Sequence, residues 1–241
     1  MAGPADDEPR AAVTSTADRG SARTTLGDPA YRGAVVDLLG VLAYGELTAF
    51  SRLAADAELA PTGRAKVALA RVAVAEFRHF EDLSTRLTEL GEEPEVAMRP
   101  FVAPIDGFHA RTRPNDWLEG LVKAYVGGGI ATDFYREVSA YLDPATRALV
   151  VSVLEDVGIA EFVVEQVRDA IDADATIGGR LALWGRRLVG EALSQAQQVA
   201  GERDGLSSLL VGGADLAELG RMLGRLTEAH THRMQRLGLA A

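Results

Sequence analysis

Glu76 and His79 lie three residues apart in the run Ala75-Glu76-Phe77-Arg78-His79-Phe80, inside a long helical pattern. The apolar positions of that pattern, Ala65, Leu69, Val72, Leu83, Leu87 and Leu90, advance in steps of three and four, and Glu76 and His79 continue the same stripe. An unpaired carboxylate and imidazole on a core stripe cost several kcal/mol, so they must meet a cation, each other, or partners on facing helices. An inward Glu-x-x-His pair, joined by carboxylates from other helices, is how helical bundles hold a pair of divalent metals. Three more acids interrupt or border apolar stripes and complete the candidate ligand set: Glu46, Asp133 and Asp156. The competing reading is a buried polar network for Glu46, Glu76 and His79. For Asp133 and Asp156 it is a solvated carboxylate, or a pair with a neighbour such as Arg136.

The elements that must position these groups follow from caps and periodicity. Residues 1–27 are rich in Pro, Gly, Ser, Thr and charge and are expected to form a disordered tail. Asp28-Pro29 gives an N-cap and a proline at the first helical position, opening a helix to about Ala57. Its stripe of Tyr31, Val35, Leu38, Leu42, Ala49 and Leu53 is broken by Glu46. After the turn at Pro61-Thr62-Gly63, a second helix runs to Gly91. Glu46 lies sixteen residues before Thr62 and Glu76 fourteen after it, which brings them to one height in an antiparallel hairpin. Residues 92–114 read as a long, proline-containing crossover loop.

A third helix, capped at Asn115 or Asp116, passes through Gly127-Gly128-Gly129 and Asp133 to Leu142. The three glycines predict a kink, a bulge or a close backbone approach. A fourth, from Asp143-Pro144 to Ile171, carries Asp156. Asp133 lies eleven residues before Pro144 and Asp156 twelve after it, repeating the height match of the first hairpin. A fifth helix, Thr176 to Arg203, a loop over 201–213 and a last helix, Ala214 to Leu237, are expected to pack outside the bundle or against another subunit. The domain reading is therefore a tail at 1–27, a bundle at 28–203, and a loop with a docking helix at 204–241. His109 in the crossover, and His230 and His232 near the end, read as surface or helix-end histidines. Glu191 is a rival buried carboxylate, expected to pair with Arg187 or a basic residue elsewhere.

Composition narrows the chemistry. The chain has 241 residues, 47% hydrophobic, no cysteine and a net charge of −10. Without cysteine there are no disulfides, thiolate nucleophiles or iron–sulfur ligands. A metal must be held by carboxylate, imidazole and water, which suits iron or manganese. The negative charge argues against a broad nucleic-acid surface. No apolar run of eighteen residues and no signal pattern is present, so no membrane partner and a cytoplasmic location are expected.

Four stretches carry a resemblance to a known family: Tyr44-Gly45-Glu46, Ala75 to Phe80, Trp117 to Val126 (WLEGLVKAYV) and Gly185 to Glu191 (GRRLVGE). Over residues 28–200 the chain resembles an actinobacterial ferritin-like family, itself similar to MiaE, the tRNA hydroxylase acting on 2-methylthio-isopentenyl adenosine. The resemblance implies an all-α, ferritin-like four-helix bundle with a long crossover and two additional C-terminal helices. It implies a di-iron site with Glu46, Glu76 and His79 in the first half, an electron donor, and O₂-dependent hydroxylation of a modified tRNA adenosine. The second half departs from the pattern. The expected acidic-x-x-His pair is Asp156-x-x-Ile159, and the carboxylate of the third helix is either Asp133 or lost in the glycine run. A non-catalytic bundle with a degraded site, acting by protein or RNA association, is the alternative; a homodimer is among the expected partners. Arg64, Lys66, Arg71, Arg78 and Arg86, with Arg186 and Arg187, would supply a basic face for tRNA.

Overall fold

The structure, a computed structural model, describes residues 25–154, 158–211 and 216–241. Among them there are helices and no strands. Nearly all of the predicted N-terminal tail lies outside the described residues.

Helix α1, Pro29–Asp56, starts where the sequence places it: the Asp28 carboxylate accepts from the Ala30 amide and Pro29 opens the first turn. A short 3₁₀ turn, Ala57–Leu59, leads to α2, Gly63–Glu89, capped by the Thr62 hydroxyl. The two run antiparallel. Arg32 at the start of α1 bonds the Leu90 carbonyl and pairs with Glu92 beyond the end of α2, at 2.8 Å. The α1 stretch with its 3₁₀ turn is long and apolar enough to cross a membrane, yet half of its most apolar window is buried in the bundle.

The crossover is not a loop. It folds as α3, Pro94–Met98, a 3₁₀ turn, and α4, Val102–Arg111, because Ala97 and Phe101 have the α1 and α2 surface to bury against. Helix α5, Trp117–Val122, is capped at Asp116, one of the two caps the sequence offers. Asp116 accepts from the Glu119 amide, and the Glu119 side chain reaches back to the Asn115 amide. Residues Lys123–Gly127 then widen into a π-helical turn before α6, Gly128–Ser139. The bulge thus ends on the first glycine of the run, and the run is also a close approach: a Cβ on Gly129 would sit 2.7 Å from the Arg233 side chain.

The fourth predicted helix is two. Helix α7, Pro144–Val153, stops, and α8, Ile159–Ala173, restarts after Gly158, whose φ of +80° no continuing helix allows. Asp156 lies outside the described residues. Helix α9, Thr176–Glu202, is not an outer layer, since Leu181, Trp184 and Leu188 are core residues. The predicted loop at 201–213 holds a short helix, α10, Asp204–Val211, and α11, Leu216–Arg236, closes the chain by burying Met234 and Leu237.

Two apolar clusters fill the interior. One joins the N-terminal half of α1 to the C-terminal half of α2, the crossover and α7; the other joins the opposite ends of α1 and α2 to α5, α8, α9 and the tail of α11. On α1 the clusters stop at Ala43 and resume at Leu53, on α2 at Ala73 and Leu83, and from the π turn to α6 at Val126 and Val138. Between these fully buried positions lies a layer of half-buried polar and aromatic residues at one height.

Candidate metal centre

That layer contains Glu46 from α1 and Glu76 and His79 from α2. One ligand atom of each falls within 4.8 Å of the other two. The helical hairpin brings them together as its residue count required. His79 Nδ1 stands 3.6 Å from Glu46 Oε2 and 3.9 Å from Glu76 Oε2. Both separations are too long for hydrogen bonds and fall where two donors on one metal lie, roughly 3 Å apart when adjacent and about 4 Å when opposite. Their side chains are only 13%, 21% and 17% exposed for Glu46, Glu76 and His79. Glu46 Oε2 and His79 Nδ1 are fully enclosed and have no hydrogen-bond partner.

Electrostatics record the strain of that arrangement. Burial and then the Glu76 carboxyl push Glu46 well above the usual carboxylate range, against the pull of His79. Burial acts upward on Glu76 too, but Glu46 and His79 together bring it below its ordinary value. The two carboxylates hold the His79 imidazolium up to about 10. Tyr135, next to Glu46, has its phenol pushed up by burial and by that carboxylate, and stays neutral. Two carboxylate oxygens and one imidazole nitrogen form a hard-to-borderline donor set that fits ferrous iron or manganese, and a cation there would satisfy both orphaned atoms.

Among the described residues Asp133 is not gathered with these three, and Asp156 lies outside them. Asp133 lines the same cavity, but its carboxylate is held by Arg233 at 2.6 Å and lies 3.8 Å from Arg136. Ile159 also lines the cavity, so an alkyl side chain stands on the wall where the second histidine of the pattern would fall. Glu191 pairs with Arg111 at 2.6 Å, not with Arg187, and takes no part in the site.

The cavity has a volume of about 600 Å³. It reaches from the triad to groups that sequence reasoning passed over. His109, near the end of α4, is a wall residue and not a loop histidine; burial, with Lys123 and Arg52 nearby, pushes its imidazole down to about 3, so it is neutral. Lys123 opens the π turn and donates to the Thr112 carbonyl at 2.8 Å, and burial pushes it down to about 8. His232 is exposed at the cavity's edge, whereas His230 is half-buried beside it on α11. The only signal for these in the sequence was the glycine run, whose bare backbone admits a bulky neighbour.

A family model described as "Ferritin-like domain, actinomycetes" matches residues 29–213. No curated protein matches the chain.

Proposed function

The chain belongs to the ferritin-like domain family of actinomycetes, and from that premise we propose that it binds a redox-active metal, iron first, on Glu46, Glu76 and His79 and oxidises a substrate admitted to the adjoining cavity. The observation that carries this is the pair of enclosed, partnerless atoms, Glu46 Oε2 and His79 Nδ1, pointing into one gap of ligand dimensions. Ferrous iron held there would supply reducing electrons for O₂ activation, with the expected electron donor returning it to the ferrous state. The protein's share is to fix the donors on two rigid helices and keep bulk water from the layer with apolar clusters on either side. His79 gives up its proton to become a ligand, and the neighbouring carboxylates cancel the charge of the cation.

Hydroxylation of a modified tRNA adenosine is the finer form of this reading. It rests on the resemblance to MiaE, and the cationic side chains in the cavity favour a phosphate-bearing substrate. If the contact is with phosphates, tRNA binding weakens steeply with added salt. Oxygen consumption by the reduced, iron-loaded protein tests the oxidase reading; the absence of turnover with iron bound would refute it.

Two observations favour a second reading, a bundle that keeps its scaffold without di-metal chemistry. Ile159, where the resemblance expects a nitrogen donor, puts an alkyl group on the cavity wall, and Asp133 is engaged by Arg233. Failure to take up Fe(II) under anaerobic conditions would select it.

A further inference from the structure

Arg233 lies on α11 with its side chain 13% exposed. It crosses α6 at Gly129, where any larger residue would collide with it. Its Nη1 forms an ion pair with Asp133 Oδ2 at 2.6 Å, without hydrogen-bond alignment, while Nε and Nη2 are enclosed and lack hydrogen-bond partners. Those two nitrogens are the parallel edge of the guanidinium, the donor fork that fits two oxygens of one carboxylate or phosphate. Leaving it empty costs the desolvation of two charged donors.

Charge in the cavity points the same way. With Glu46 and Glu76 committed to the metal, Arg52, Lys123, Arg136, Arg233 and Arg236 remain on its wall against Asp56 and Asp133. This cationic excess sits inside a protein of net charge −10.

We propose that the Arg233 fork is an oxyanion-binding site that anchors the phosphate or carboxylate of a small substrate within the cavity that the metal ligands share. The proposal deepens the functional reading above, because the anchored molecule occupies the chamber where oxidation would occur. The volume of about 600 Å³ accommodates a nucleotide or a medium-chain acid. The anion is bound by the fork, and the rest of the molecule extends along the cavity.

Calorimetric titration of the full chain, first metal-free and then loaded with Mn(II), tests this with inorganic phosphate, adenosine 5′-monophosphate and octanoate. Saturable binding to the metal-free protein is expected. Arg233→Lys, which keeps the charge but not the fork, weakens it by about 10- to 100-fold. Gly129→Ala, which displaces the guanidinium without removing it, acts in the same direction. Tighter binding of the nucleotide identifies the anchor as a phosphate site, and tighter binding of octanoate as a carboxylate site. No saturation by any probe below about 10 mM overturns the proposal. Binding unchanged in Arg233→Lys also overturns it and, should that variant fail to fold, binding unchanged in Gly129→Ala does so. Anion binding without Mn(II) uptake would leave the anchor standing and remove the metal reading, whereas uptake without anion binding would do the reverse.

Discussion

Glu46 Oε2 faces His79 Nδ1 across 3.6 Å, and neither atom has a hydrogen-bond partner. The two belong to different helices, so their meeting is a product of the α1–α2 hairpin and not of local sequence. A merely structural polar network would close this gap to about 2.8 Å and satisfy both atoms. Left open, it gives the metal-free protein a destabilised layer between two well-packed clusters.

Removing the anion while keeping its shape should relieve that layer. Glu46→Gln is expected to stabilise the metal-free protein by about 1 kcal/mol and to weaken metal binding at least about 10-fold. Thermal unfolding with and without metal checks both halves. A variant that is less stable without metal and binds it normally would show that Glu46 is a structural partner.

The imidazole supplies a pH dependence whose sign is fixed. His79 is raised from an ordinary value of 6.5 to about 10 by the two carboxylates, so its contribution to metal-free stability is complete below pH 6.5 and is lost as pH rises towards 10. Metal uptake runs oppositely, since the proton must leave first. Affinity should increase about 10-fold per pH unit between pH 6 and 8 if one proton is released. Competition titrations at three pH values measure the slope, and a flat profile would exclude His79 as a ligand.

Ile159 offers a gain-of-function test. If the second half-site is incomplete for want of a donor, Ile159→His should raise the metal content above that of the native chain, towards about two ions. Unchanged stoichiometry in a folded variant would show that Asp133, held by Arg233, is the greater obstacle.

Much of this was legible in the sequence, for reasons that differ by element. The α1–α2 hairpin followed from the Asp28-Pro29 cap, the Pro61-Thr62-Gly63 turn and residue counting, and the same arithmetic placed Glu46 beside Glu76. The cap at Asp116 and an irregularity at the glycine run were also readable, because each is a local backbone preference. The division of the fourth helix was missed since Gly158 interrupts an apolar stripe that otherwise keeps helical period through Ala160 and Val163. The crossover and the 201–213 segment read as loops in sequence because their helices are short and gain stability from packing, not propensity. The cavity wall was the least legible: His109, Lys123 and Arg233 come together from α4, the π turn and α11, far apart in the chain. Periodicity along one helix carries no signal for a contact of that kind.

Metal content of the purified chain after anaerobic Fe(II) loading and desalting addresses the central claim most directly, with His79→Ala measured beside it. The account predicts about one tightly held iron per native chain and a clear loss in the variant, with helical content preserved in both. Native protein that retains no iron, or a variant that retains as much as the native chain, would contradict it.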